Sequence, residues 1–201
     1  MKMLPVEINS EFKFLGTAIR QVDRLLTGEQ IVGREFLSID PIVSEPYYGS
    51  SEQNTNKGPI GFWGLYDTPN VSLKEFSLIS DPKRSGFRII GIFLHVKSFL
   101  EAIAKGYLDE ELFSRKLEIT PDIDIVFKGY EIATLEYEWI SFLSNCGKNM
   151  HDYIDLTHLN SYGLIDSLSD AMKFKTIAEK DLSVHAPFGV WGICTLSSIS
   201  R

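Results

Sequence analysis

The sequence predicts an α+β fold: one domain over residues 1–201, built on a mixed or mainly antiparallel central sheet with helices packed against it. Three observations lead there. Stretches rich in β-branched and aromatic residues alternate with helical patterns, but without the regular order of a parallel βαβ sheet. Two segments 128 residues apart spell nearly the same phrase, Pro59-Ile60-Gly61-Phe62-Trp63-Gly64-Leu65 and Pro187-Phe188-Gly189-Val190-Trp191-Gly192-Ile193. A Pro ahead of an apolar run suits the start of a strand, and glycines around a Trp let another chain or a large ring come close. The two phrases are therefore expected to be neighbouring core strands. Finally, 201 residues of which 44% are hydrophobic and 12% aromatic are enough for one continuous core.

Taken in order, Ser10 precedes Leu15, Ala18, Ile19, Val22, Leu25 and Leu26 at helical spacing, with Gly28 as a stop, which predicts a first helix. A short strand is expected around Glu35 to Ile39, ended by Pro41. Residues 44–58 are almost all turn formers and polar groups, which predicts a flexible surface loop. The first Trp phrase then forms a strand, Asp67-Thr68-Pro69-Asn70 turns, and Val71 to Ser80 is a short element of either type.

Phe87 to Val96 is a nearly unbroken apolar, β-branched run, and reads as a strand buried on both faces at the sheet centre. Ser98 and Glu101 form a capping-box pair that starts a helix ending at Gly106. A second short helix is expected from Asp109 to about Lys116. Asp122 to Phe127 alternates as a strand, and Lys128-Gly129 can turn it into Tyr130 to Glu138 as a hairpin partner. Ile132, Leu135, Trp139, Phe142 and Leu143 also fit a helical face, so a helix can follow near Trp139 and stop at Gly147. Ser161 should begin a helix running to about Lys180, and the second Trp phrase is the last strand.

The formal net charge is −7, from 27 acidic and 20 basic residues. That balance opposes attraction to nucleic-acid phosphate and to anionic lipid, and favours a basic protein partner. No apolar leader opens the chain and no run approaches a membrane span, so a cytoplasmic location without membrane association is expected. Two cysteines, Cys146 and Cys194, suit a reducing compartment and are too few for a disulfide scaffold or a thiolate zinc site.

Candidate chemistry is sparse. His151, Asp152, Asp155 and His158 bring two imidazoles and two carboxylates together, the ligand types of a divalent metal and the acid–base groups of a hydrolase. The histidines are seven apart, however, wider than the three to five residues of helical zinc motifs, so no metal site is expected and the cluster stands as the alternative catalytic reading. Cys194 sits in an apolar strand and Cys146 at a helix end, settings that disfavour a thiolate nucleophile. His95, within the central strand, reads as a core residue. No phosphate-cradling glycine loop occurs, and no cofactor is expected.

The leading expectation is a non-enzymatic, acidic protein-binding module, such as an immunity-like inhibitor of a basic toxin or enzyme. Its candidate docking residues are the loop tyrosines Tyr47 and Tyr48 and the acids gathered at the expected hairpin: Asp122, Asp124, Glu131, Glu136 and Glu138. Charged residues at a sheet edge also guard against aggregation, which is the structural reading of the same acids.

Overall fold

The computed structural model describes residues 4–22, 37–40, 65–79, 84–114, 116–117, 121–136, 139–142, 158–183 and 186–199. Four strands, β1 (Phe12–Gln21), β2 (Phe87–His95), β3 (Ile123–Thr134) and β4 (Phe188–Ser198), form one sheet. Their order is β1-β2-β4-β3 and every pairing is antiparallel. Helices α1 (Val6–Glu11), α2 (Pro69–Ser77), α3 (Val96–Ala104) and α4 (Leu168–Asp181) pack on it, with a 3₁₀ turn at Glu110–Ser114. This is the α+β architecture that the sequence predicts.

Both faces of the sheet are covered, so its strands carry apolar residues at odd and even positions alike. Phe12, Phe93, Ile132 and Val190 point to one face, where Ile8 of α1, Leu73 and Phe76 of α2, and Ala171 and Ala178 of α4 meet them. Leu15, Ile92, Ala133, Trp191 and Ile193 point to the other, beneath Phe99 and Ala102 of α3 and the segment containing Leu37 and Ile39. The glycines around Trp191 do what the phrase suggests. A Cβ on Gly192 would stand 2.6 Å from Ile8 Cδ1, and one on Gly189 2.5 Å from Leu135 Cδ2.

Several elements differ from expectation, for identifiable reasons. The expected first helix is strand β1. Its register shifts between Phe14 and Gly16, and this bulge turns the three-residue spacing of Leu15 and Ala18 into one sheet face, which imitates helical periodicity. Lys128-Gly129 is likewise no hairpin turn. β3 runs through it with a register shift between Phe127 and Gly129, and Gly129 takes φ +143 where a Cβ would meet Leu164 Cβ at 2.8 Å. Tyr130 to Thr134 therefore continues the same strand.

Helix α3 starts at Val96, directly from β2, with no side-chain cap, so Ser98 lies buried inside the helix. α4 begins at Leu168, later than Ser161, and its cap is Ser167, whose Oγ accepts from Asp170 N at 3.2 Å. Residues 139–142 are not helical. From Asp109 to Lys116 the described residues hold the 3₁₀ turn Glu110–Ser114 where an α-helix was expected.

The repeated phrase does not give neighbouring strands among the described residues. Tyr66, just past the first phrase, exchanges backbone bonds with Thr17, placing that segment on the outer edge of β1. The second phrase is β4, two strands further in. Pro59 to Gly64, including Trp63, lies outside the described residues, as do the 44–58 loop and Glu35 and Phe36 of the short strand expected around Glu35 to Ile39, whose described part, Leu37 to Ile39, is irregular chain and not strand.

Candidate functional site

The densest polar chemistry in the described residues is buried on the second sheet face. Register places Glu131 of β3 directly opposite Trp191 of β4, so its side chain enters an apolar layer. It is 1% exposed. Burial of a carboxylate without partners is costly, and the chain supplies them from a segment that is remote in sequence. Ser38 Oγ donates to Glu131 Oε1 at 2.5 Å, and Ile39 N donates to Oε2 at 2.8 Å. Asp40, equally buried, accepts from Ser141 N at 3.0 Å through Oδ2, and its own N–H donates to Ser38 Oγ at 3.0 Å.

Two irregular segments, Leu37–Asp40 and Trp139–Phe142, are thereby fastened to β3. Thr134 exchanges bonds with Ile140, its N–H donating at 3.1 Å and its Oγ1 accepting at 3.0 Å, and Phe142 N donates to Ile132 O at 2.7 Å. Trp139 then lies against Trp191, ring centroids 4.7 Å apart and planes tilted by 52°.

Burial pushes the Glu131 carboxyl up to about 7, against the hydrogen bonds of Ser38, Ile39 and Ser141, which favour the charged form. The nearby charge of Asp40 pushes the same way as burial. Chemically the cluster can hold a proton near neutrality. Its geometry is that of a fastening: the bonds of Ser38 and Ile39 to Glu131 tie one loop segment to the strand, Ser141 N to Asp40 ties the two segments together, and Asp40 N to Ser38 Oγ braces the first internally.

The sequence-predicted docking residues are not brought together. Glu131 is corrected from docking residue to interior residue, because β3 continues where a turn was expected. Asp122 is exposed and Asp124 half-buried at the start of β3, whereas exposed Glu136 lies past its other end. The twelve residues of β3 lie between Asp122 and Glu136, roughly 40 Å at the strand rise of about 3.3 Å per residue. Tyr47, Tyr48 and Glu138 lie outside the described residues, and so do His151, Asp152 and Asp155.

His158 is exposed and sets its ring edge-on to Phe174 of α4, centroids 5.6 Å apart. Among the described residues no group of three or more His, Cys, Asp or Glu is placed to hold a metal ion. His95 is 6% exposed, as a core residue would be; burial lowers its pKa, and Nε2 faces Glu11 at 3.6 Å. Cys194 is fully buried, and its thiol is pushed up to about 12 by burial. No described helix is long and apolar enough to cross a membrane.

Sequence reasoning missed the Glu131 cluster. The available signal was Ser38-Ile39-Asp40, a polar pair around an apolar residue in a region read as strand, but nothing in the sequence links it to residue 131. Comparison with protein-family models, with curated proteins and with solved structures finds no match.

Proposed function

We propose that this chain is a cytoplasmic, non-enzymatic protein-binding module for a basic partner, of the kind that neutralises a basic toxin or enzyme. The observation that carries the reading is how the chain presents its negative charge. Helix α3 ends at Gly106, which takes φ +73, with Gly106 N donating to Ile103 O at 2.9 Å and Tyr107 N to Ala102 O at 2.8 Å. This reversal drops Leu108 into the core, 7% exposed, and leaves Asp109, Glu110 and Glu111 consecutive and exposed. The acids are held on a short, anchored turn, and Leu100 of α3, 52% exposed, offers an apolar contact on the preceding helix.

Fixed like charges on a molecule of net charge −7 steer a basic partner and bind it with little loss of loop freedom. Asp122 and Asp124 stand as a separate acidic pair at the start of β3, on the sheet edge opposite β1, against which the acidic turn packs, while Glu131 serves to fasten the fold.

The test is capture of partners on the full chain, compared with a variant carrying Asp109→Lys, Glu110→Lys and Glu111→Lys. The reading expects a partner of high isoelectric point, released by raised salt and lost from the variant. A captured partner that is acidic, or one held equally by both chains at high salt, contradicts it.

A further inference from the structure

The outer edge of β3 is covered along one half and open along the other. From Tyr130 onwards neighbours take its outward backbone groups: Tyr130 exchanges bonds with Ile165, Ile132 O accepts from Phe142 N at 2.7 Å, and Thr134 N donates to Ile140 O at 3.1 Å. Before the register shift, one bond fixes where each residue points. Asp122 O accepts from Ile199 N at 2.8 Å on the β4 side, and successive residues of an antiparallel pair alternate. Asp124 and Val126 therefore also turn N–H and C=O toward β4, whereas Ile123, Ile125 and Phe127 turn theirs outward. Among the described residues no chain pairs with these three on that side. Such a row is a template for an added strand, and five residues give roughly 17 Å of edge at about 3.3 Å per residue.

The side chains decide which strand fits. Ile123 and Ile125 are buried on the sheet face that α4 covers, so residues opposite them would extend an apolar layer. Asp124, half-buried, points to the other face and is the one charged residue between Ile123 and Phe127. Opposite charges facing each other across two strands stabilise the pair, which favours Lys or Arg opposite Asp124.

A second copy of this chain fits less well. Pairing two copies about Ile125 would match every outward residue, but it sets the two Asp124 side chains diagonally across the axis, about 7–8 Å apart. Each copy also carries −7. Lys128, which such a pairing would bring to the copy's Asp122, already holds its ammonium 2.8 Å from the Tyr162 hydroxyl and 4.2 Å from that ring's centroid.

We propose that the edge of β3 from Ile123 to Phe127 binds an extended basic segment of a protein partner by strand addition, with apolar side chains opposite Ile123, Ile125 and Phe127 and Lys or Arg opposite Asp124. The edge shares no residue with the acidic turn of the proposed function and is read with a synthetic strand, so either can fail alone.

The probe is the capped peptide Thr-Val-Lys-Val-Lys-Val-Thr, titrated into the full chain by calorimetry beside three relatives: one with Glu for both Lys, one N-methylated at the central Val, and one N-methylated at a Lys. In the proposed register the Val N–H faces the edge and the Lys N–H faces away, so only the first methyl removes a bond. The expected result is saturable binding of one peptide per chain, at least about fivefold weaker after methylation of Val, as loss of one backbone hydrogen bond implies, and unchanged after methylation of Lys. The Glu peptide should bind more weakly, and Asp124→Lys should cancel or reverse that preference. Hydrogen exchange on the wild-type chain needs no variant to fold. The Lys peptide should slow exchange at Ile123, Ile125 and Phe127 and leave Asp124 and Val126, already bonded to β4, unaltered. No saturable binding, equal loss from both methylations, or protection away from those three amides overturns the proposal. So does slowing of the same amides with rising chain concentration in the absence of peptide, because a second copy then occupies the edge.

Discussion

Trp139 lies against Trp191, ring centroids 4.7 Å apart, and both indoles are 1% exposed or less. The pair closes the second sheet face beside Glu131, so the repeated Trp phrase finds its indole neighbour in a residue outside either copy. Trp191→Ala and Trp139→Ala should each destabilise the chain by about 3–5 kcal/mol, as truncation of a large core aromatic does. Because the rings share a contact, the double variant should lose less than the sum of the two. Urea denaturation of the three variants measures both quantities.

Glu131 makes stability depend on pH. Its folded pKa of about 7 is above the ordinary value of 4.5, so between those two values the folded chain holds a proton that the unfolded chain has released. The contribution is fully present below 4.5, is lost progressively as pH rises to 7, and is flat above that, with a slope of up to about 1.4 kcal/mol per pH unit. Glu131→Gln, which stays neutral, should flatten the curve across that window. Urea midpoints taken from pH 4.5 to 8 on both chains check it.

Cys194 should be inert while the chain is folded. With the thiol raised to about 12 by burial, almost no thiolate exists at pH 8, and the sulfur has no access to solvent. In a Cys146→Ser background, iodoacetamide should label the native chain far more slowly than the urea-unfolded one, and mass spectrometry of timed samples gives both rates.

Asn160 fixes the segment before α4 to β3. Its Nδ2 donates to Lys128 O and Asp166 Oδ1, both at 2.7 Å, and its Oδ1 accepts from Tyr162 N at 2.9 Å and Leu164 N at 3.2 Å. Asn160→Ala should cost about 1–3 kcal/mol and leave two backbone donors short of a partner. Hydrogen exchange at Tyr162 and Leu164 should speed up more than exchange within α4.

The legible parts of the fold were those where local pattern and final environment agree. β2 and β4 are apolar and β-branched along their length, and a strand buried on both faces requires that composition. Gly106 ended its helix as expected. β1 and β3 were misread for one common reason: each contains a bulge, and a bulge breaks the alternation by which strands are recognised. The candidate site was less legible still. Glu131 looks like any surface acid in sequence, and only its register opposite Trp191, with Ser38 arriving from 93 residues away, makes it interior.

The account turns on that closure, because a Glu131 sealed under Leu37–Asp40 serves the fold and leaves binding to the exterior. An NMR titration of the Glu131 side-chain carboxyl carbon in the native chain tests it directly. A midpoint near 7 is the expected result. A midpoint near 4.5 means that the carboxyl meets water, and contradicts the closure.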